Sequence, residues 1–303
     1  MMNSIWNFLR RIFGMDIAWE TMTLSRVGID PASAWSLTRV LQPIHTVRLR
    51  PEPEVRVDAR MDEPLKLSWH GITDTGLVRD HNEDNFAFLD LGNTTLFVVA
   101  DGMGGHDAGE IASAIAVKAV CSEVRKAKVQ GTDPLVLVER AVQRANTEVN
   151  SEASRKGSNM GTTLTVALVS EDTAYVGSVG DSRAYWIENG SIAQITEDHS
   201  VVAKLVATGQ LTKEEARNHP RSNLLYRTIG NDETVTVNTC RVPLTRGGTL
   251  LLCTDGLWGE VDDEEIRRIC GEEHTDLICA RLVQRADANG GKDNITAIVV
   301  KVI

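Results

Sequence analysis

Three aspartates stand where apolar strands meet glycine-bearing turns, far apart along the chain. Leu96-Phe-Val-Val-Ala-Asp-Gly-Met-Gly-Gly-His106 delivers Asp101 and Gly102 at the end of an apolar run. Leu250-Leu-Leu-Cys-Thr-Asp-Gly-Leu-Trp258 repeats the device with Asp255 and Gly256. Gly291-Lys-Asp-Asn-Ile-Thr-Ala-Ile-Val-Val300 reverses it, with Asp293 and Asn294 opening an apolar strand. Short uninterrupted apolar runs bounded by glycine predict fully buried strands, and carboxylates at their ends can converge on one sheet edge. Glycines after Asp101 let the backbone turn tightly and approach a ligand, so Asp101 and the Gly102 carbonyl could face one hard cation. Oxygen-only ligands of this kind suit Mg²⁺ or Mn²⁺ rather than zinc. Taken singly, each segment reads equally well as a strand followed by an ordinary Asp-Gly turn. The repetition is what favours a metal-binding edge.

The chain has 303 residues, of which 42% are apolar and 24% charged, enough for one large core and an appendage. Its formal net charge of -10 disfavours nucleic acid as the main partner, because phosphate backbones attract basic surfaces. No run approaches the roughly 18 apolar residues that span a bilayer, and the start lacks the small-residue cleavage site of a signal peptide. A soluble cytoplasmic protein is therefore expected. Cys121, Cys240, Cys253, Cys270 and Cys279 form no CxxC pair and sit mostly in apolar patterns, which predicts buried thiols in a reducing compartment. No GxSxG elbow, Walker loop or HExxH is present, and the Cys-x5-Arg spacing from Cys279 to Arg285 lies within a predicted helix, not in a phosphatase-type loop, which disfavours covalent cysteine chemistry.

Residues 1–64 differ in texture from the rest of the chain. Ile5, Phe8, Leu9, Ile12 and Phe13 fall at helical spacing with Arg10 and Arg11 off that face, as in a helix that lies on a membrane surface, binds a partner, or packs on its own domain. Arg48 to Val57, with two prolines and mixed charge, reads as a linker. From Leu67 the pattern predicts strands at Leu67–Thr73, Phe86–Leu89 and Leu96 to Asp101, then helices from Gly109 to about Val129 and from Leu135 to about Val149. Strands come next at Thr163–Val169, Thr173–Val179, Ala184–Ile187 and Ile192–Thr196, with Glu188-Asn-Gly190 as a hairpin turn. Ser200–Thr208 and Thr212–Asn218 predict short helices, the second with Thr212 and Glu215 as a capping pair. Strands at Val235–Val242 and Thr249–Thr254, helices at Asp262–Cys270 and Thr275–Ala288, and a closing strand at Ile295–Ile303 complete the domain. Helix pairs separated by runs of strands, without strict βαβ alternation, indicate an α+β fold of antiparallel sheets covered by helices.

Six segments in order carry a family resemblance: Gly76-Leu-Val-Arg-Asp-His-Asn-Glu-Asp-Asn85, Asp101-Gly-Met-Gly-Gly-His106, Met160-Gly-Thr-Thr163, Gly180-Asp-Ser-Arg183, Thr254-Asp-Gly-Leu257 and Asp293-Asn294. From about Lys66 to Ile303 the chain resembles the bacterial metal-dependent protein phosphatases of type 2C. The resemblance implies a four-layer αββα sandwich over residues 65–303, with an extension at 1–64. It implies two Mn²⁺ or Mg²⁺ ions, bridged by Asp101, with the Gly102 carbonyl on one ion and Asp255 and Asp293 on the other. Arg79 is then the phosphate ligand, since a guanidinium fork matches phosphate, and Glu83 and Asp84 support the ions partly through waters. Asp181 with Asp255 would hold a third, weaker ion, or else Asp181 bonds the turn that comes after it. Lys156-Gly-Ser-Asn-Met160 lacks an acidic residue that some relatives carry there, which counts against that third ion. His106 is either a substrate-side general acid or a hydrogen-bonded structural residue. The segment Ser200–Gly230, after Asp198-His199 and including His219-Pro-Arg221, resembles the family's flap over the substrate. Implied partners are phosphoserine and phosphothreonine proteins and an opposing Ser/Thr kinase, with the enzyme itself a monomer. The competing reading is a catalytically silent relative that only binds, which should have lost a metal carboxylate; this chain keeps all three and Arg79.

Overall fold

The computed structural model describes residues 65–104, 108–127, 132–212, 215–216, 219–271 and 274–303. The helix and linker expected within 1–64, and His106, lie outside the described residues. In chain order the elements are β1 (Leu67–Asp74), β2 (Asp84–Asp90), β3 (Thr94–Met103), α1 (Ala108–Lys126), α2 (Pro134–Lys156), β4 (Gly161–Thr162), β5 (Leu164–Ser170), β6 (Thr173–Val179), β7 (Arg183–Glu188) and β8 (Ser191–Gln194). They continue with α3 (Val201–Ala207), β9 (Asn238–Pro243), β10 (Thr249–Cys253), α4 (Asp255–Trp258), α5 (Asp263–Cys270), α6 (Thr275–Ala288) and β11 (Ile295–Val302).

One sheet has the order β1-β11-β10-β7-β8 and the other β2-β3-β5-β6-β9, with β4 paired to the end of β3. All these pairings are antiparallel. Because successive side chains of a strand point to opposite faces, a sheet covered on both sides needs continuous apolar runs. In β3, Leu96, Val98 and Ala100 pack with Val120 of α1 and Leu137 and Val138 of α2. Phe97 and Val99 turn the other way and meet Leu250, Leu252, Ile298 and Val300 of the second sheet. Leu251, Cys253, Ala297 and Val299 then face Ile266 of α5 and Ile278 and Leu282 of α6. The result is the expected αββα sandwich, and each fully buried large side chain contributes roughly 1.5–3 kcal/mol.

Local chemistry accounts for most boundaries. Asp133 caps α2 by accepting from the Leu135 N–H, Pro134 opens it, and left-handed Gly157 (φ 61°) ends it, so α2 runs on past Val149 to Lys156. Asn189 and Gly190, both with positive φ, make the β7–β8 hairpin turn. Thr212 and Glu215 cap each other reciprocally, at 2.8 and 3.2 Å. Two strands depart from their patterns: β8 stops at Gln194, before the expected Thr196, and β9 starts only at Asn238. Upstream, Val235 is buried in the helix-side core and its carbonyl accepts from Gln143 of α2, while Asn146 Nδ2 binds the Asp232 carbonyl at 2.9 Å. Helix side chains have taken the hydrogen bonds that a strand partner would have supplied. No helix among the described residues is long and apolar enough to cross a membrane.

Candidate metal centre

The β2–β3 ladder sets Asp84 directly opposite Asp101. Asp101 is held by its backbone: its N–H donates to Thr163 Oγ1 at 2.9 Å, and its carbonyl accepts from Thr163 N–H and Thr162 Oγ1, both at 2.8 Å. The second sheet brings the other carboxylates. Asp255 opens α4 just beyond β10, and Asp293 lies just before β11, the neighbour of β10. A β-carbon on Gly256 would stand 2.1 Å from the Asn294 carbonyl oxygen, so glycine after Asp255 is what lets α4 start against the chain that carries Asp293. Gly102 plays the same part beside Asp101, where a β-carbon would meet the Gly109 carbonyl oxygen at 2.1 Å and the Glu83 carbonyl oxygen at 2.6 Å.

Asp84 links the two sheets. Its Oδ2 accepts from Thr254 Oγ1 at 2.8 Å and Thr296 Oγ1 at 2.6 Å, yet its Oδ1 is buried with no hydrogen-bond partner. Burial, followed by the charges of Asp255, Asp84, Asp181 and Asp293, pushes the Asp101 carboxyl well above the usual range. Burial does the same to Asp84, outweighing the two threonine hydroxyls, with Asp255 and Asp293 adding to it. Asp255 is pushed up to about 6 by burial and Asp293, against a hydrogen bond from Asp101. Asp181 is raised by burial, then Asp255 and Asp198. Four buried carboxyl groups thus share one poorly solvated region with too little positive charge to offset them, and Asp293, paired with Arg79, stands at its edge.

Among the described residues no three acidic, histidine or cysteine side chains close on a single point as a finished cage. Mg²⁺-type sites are not built that way; they use one or two carboxylates and leave several positions to water and phosphate oxygens. The orphan oxygen of Asp84, the mutual repulsion of the carboxyls and the oxygen-only donor set all fit a hard divalent cation.

Arg79 stands at the rim. Its Nη2 donates to Asp293 Oδ2 at 2.7 Å with its side chain 47% exposed, and Asp293, Glu83 and Asp101 outweigh burial to raise its pKa. Its loop is stapled down by Asn294, whose Nδ2 donates to the Thr75 and His81 carbonyls at 3.0 and 2.9 Å while Oδ1 accepts from the Glu83 N–H at 2.8 Å. The Glu83 carboxylate accepts from the Gly109 N–H in the first turn of α1, where the helix end favours an anion, although burial raises its pKa overall.

The family profile described as Protein phosphatase 2C matches residues 78–299. The chain belongs to the protein phosphatase 2C family. Among the phosphatase 2C relatives, a Serine/threonine phosphatase stp of Listeria monocytogenes serotype 4b (strain F2365) is 39% identical over 235 residues, 76% of this chain and 93% of its own. The crystal structure of Stp1 from Staphylococcus aureus superposes with a TM-score of 0.73 at 36% identity, covering 78% of this chain and 96% of that one. The PstP catalytic domain, solved in complex with two manganese ions, superposes with a TM-score of 0.71 at 33% identity over 79% of this chain and 99% of that one.

Relative to the sequence reading of this phosphatase 2C chain, the structure gathers Asp84, Asp101, Asp181, Asp255 and Asp293 and puts Arg79 and Glu83 beside them. Residues with a part in the arrangement but no role in that reading include Thr162 and Thr163, which hold the Asp101 backbone, Thr254 and Thr296, which hold Asp84, and Asn294, which holds the Arg79 loop. All but Thr296 stand within the segments that carry the family resemblance.

Proposed function

We propose that this enzyme, a serine/threonine phosphatase of the 2C type, hydrolyses phosphoserine and phosphothreonine in proteins at a pair of Mn²⁺ or Mg²⁺ ions. Asp101, the Gly102 carbonyl, Asp255 and Asp293 would hold the ions. When bound, the ions acidify water and offset charge on the transferred phosphoryl group. The chain's own residues do the rest. Arg79 exchanges Asp293 for the phosphate oxygens, a fork-on-phosphate contact that orients the ester. Asp84 stays behind Asp101, held by Thr254 and Thr296, and offers its free oxygen to a water. Glu83 fixes the start of α1 against the site. Asp181 beside Asp255 offers a weaker third position, and His106 stands within the glycine-rich loop that comes after Asp101 in sequence. On this reading the enzyme is a cytoplasmic monomer opposed by a Ser/Thr kinase, and residues 1–64 are an appendage for a partner or a membrane surface.

The observation that carries the proposal is geometric: Asp84 lies opposite Asp101 on one sheet, its Oδ2 accepts from Thr254 and Thr296 of the other sheet, and its buried Oδ1 has no hydrogen-bond partner. The test is hydrolysis of para-nitrophenyl phosphate and of a phosphothreonine peptide in EDTA, Mg²⁺ or Mn²⁺, beside Asp255→Asn. Turnover only with a divalent ion, and its loss in the variant, is expected. No turnover with either ion would sink the proposal and leave a silent binding module.

A further inference from the structure

Among the described residues, two of the attachments of the segment from Ser200 to Gly230 to the rest of the domain are bonded next to a site carboxylate. At its start the His199 N–H donates to the Gly180 carbonyl and the Gly180 N–H to His199 Nδ1, both at 2.9 Å, one residue before Asp181. At its end Ile229 and Thr162 exchange backbone hydrogen bonds of 2.9 and 3.1 Å, and Thr162 Oγ1 donates to the Asp101 carbonyl.

A side-chain relay reinforces the first point. Arg183 forks onto Asp198, with Nη2 at 2.7 Å from Oδ2 and Nε at 3.0 Å from Oδ1, and gives Nη1 to Tyr185 Oη at 2.7 Å. Its guanidinium lies 3.5 Å from the centre of the Trp258 ring. Trp258 closes α4, the single turn that Asp255 opens, and its indole N–H donates to the Asp181 carbonyl at 3.0 Å. The Arg183 and Asp198 side chains are only 14% and 9% exposed. A desolvated pair of this kind is weak as a source of stability and strong as a device for fixing geometry. The Trp258 ring packs against the apolar cluster beneath α5 and α6, while its N–H reaches the backbone of one site aspartate and its helical turn carries another.

We propose that Arg183 and Trp258 are positioning residues that set Asp181 and Asp255 for the ions and couple them to the root of the 199–230 segment. This rests on the metal reading above. By linkage, ion binding and ordering of the segment then favour each other to the same degree.

The experiment is a calorimetric titration of the full chain with Mn²⁺ alone, on wild type, Trp258→Phe and Arg183→Lys. Phenylalanine keeps an aromatic ring under Arg183 and removes the N–H that reaches Asp181 together with part of the indole's packing; lysine keeps the charge beside Asp198 and loses the fork. Both variants are expected to bind Mn²⁺ about tenfold more weakly, as when a group behind a metal ligand is removed. Amide exchange over 199–212 and 219–230 should slow on Mn²⁺ addition in wild type and stay unchanged in the variants at equal occupancy. Equal Mn²⁺ affinity and equal protection in Trp258→Phe would overturn the inference, and that variant decides the matter if Arg183→Lys does not fold. A wild type that binds no Mn²⁺ would overturn the metal reading itself, and the inference with it.

Discussion

Replacing Asp255 by asparagine should stabilise the ion-free protein and leave it unresponsive to Mn²⁺. Burial and the charge of Asp293 lift the Asp255 carboxyl from its ordinary 3.8 to about 6. At about 1.4 kcal/mol per pKa unit, the charged form at neutral pH costs roughly 3 kcal/mol when no ion is present. Asparagine removes the charge but is a poorer partner for Asp101, so a net gain of about 1–2 kcal/mol is expected, or about 3–6 °C in melting temperature for a domain of this size. The sign of the pH dependence is set by the same shift. Between about pH 4 and 6 the folded chain keeps a proton on Asp255 that the unfolded chain has released. In EDTA wild-type stability therefore falls as pH rises through that window, and the variant loses this part of the fall. With Mn²⁺ at about a hundred times its dissociation constant, wild type gains roughly 2.7 kcal/mol, which reverses the order of the two proteins. Thermal unfolding in EDTA and in Mn²⁺, at several pH values, reads all of this. A variant that melts below wild type in EDTA at neutral pH, or one that Mn²⁺ stabilises as much as wild type, would refute the reasoning.

Arg79→Ala should lower kcat/KM on a phosphothreonine peptide about 10- to 100-fold, the range for losing a charge-assisted fork, while Mn²⁺ affinity by calorimetry stays within about threefold. Lysine at the same position should recover only part of the rate. Thr254→Val and Thr296→Val each remove a hydroxyl from Asp84, whose other oxygen already has no partner. Each should cost about 1–3 kcal/mol in urea unfolding of the ion-free chain, and an unchanged midpoint would show that Asp84 does not depend on them. Removal of residues 1–64 should leave turnover of para-nitrophenyl phosphate intact, and a loss of turnover would show that the extension belongs to the catalytic fold.

How far the sequence discloses this protein depends on the range of the interaction involved. Leu96 to Ala100 reads correctly as a strand buried on both faces because the cue is local: an apolar run with no alternation, flanked by glycine. The carboxylates at strand ends are legible for the same reason. What Asp84 touches is not legible, because Thr254 and Thr296 reach it only after two sheets have stacked, and a threonine in an apolar strand carries no mark of that role. The relay from Asp198 through Arg183 to Trp258 is hidden likewise, being assembled from three elements.

The two Asp-Gly pairs show how one cue can be right for the wrong reason. Asp-Gly commonly signals a turn in which glycine adopts positive φ, yet neither Gly102 nor Gly256 is among the glycines with positive φ. Each is glycine because another backbone carbonyl lies where a β-carbon would be: Gly109 at one, Asn294 at the other, both at 2.1 Å. In each pair the glycine lets a second segment press against the chain beside an aspartate, and that contact brings α1 up to Asp101 and Asp293 up to Asp255. Two missing side chains thus let the backbones pack closely beside Asp101 and Asp255, and burial is the largest cause of the raised pKa values of those two carboxyls.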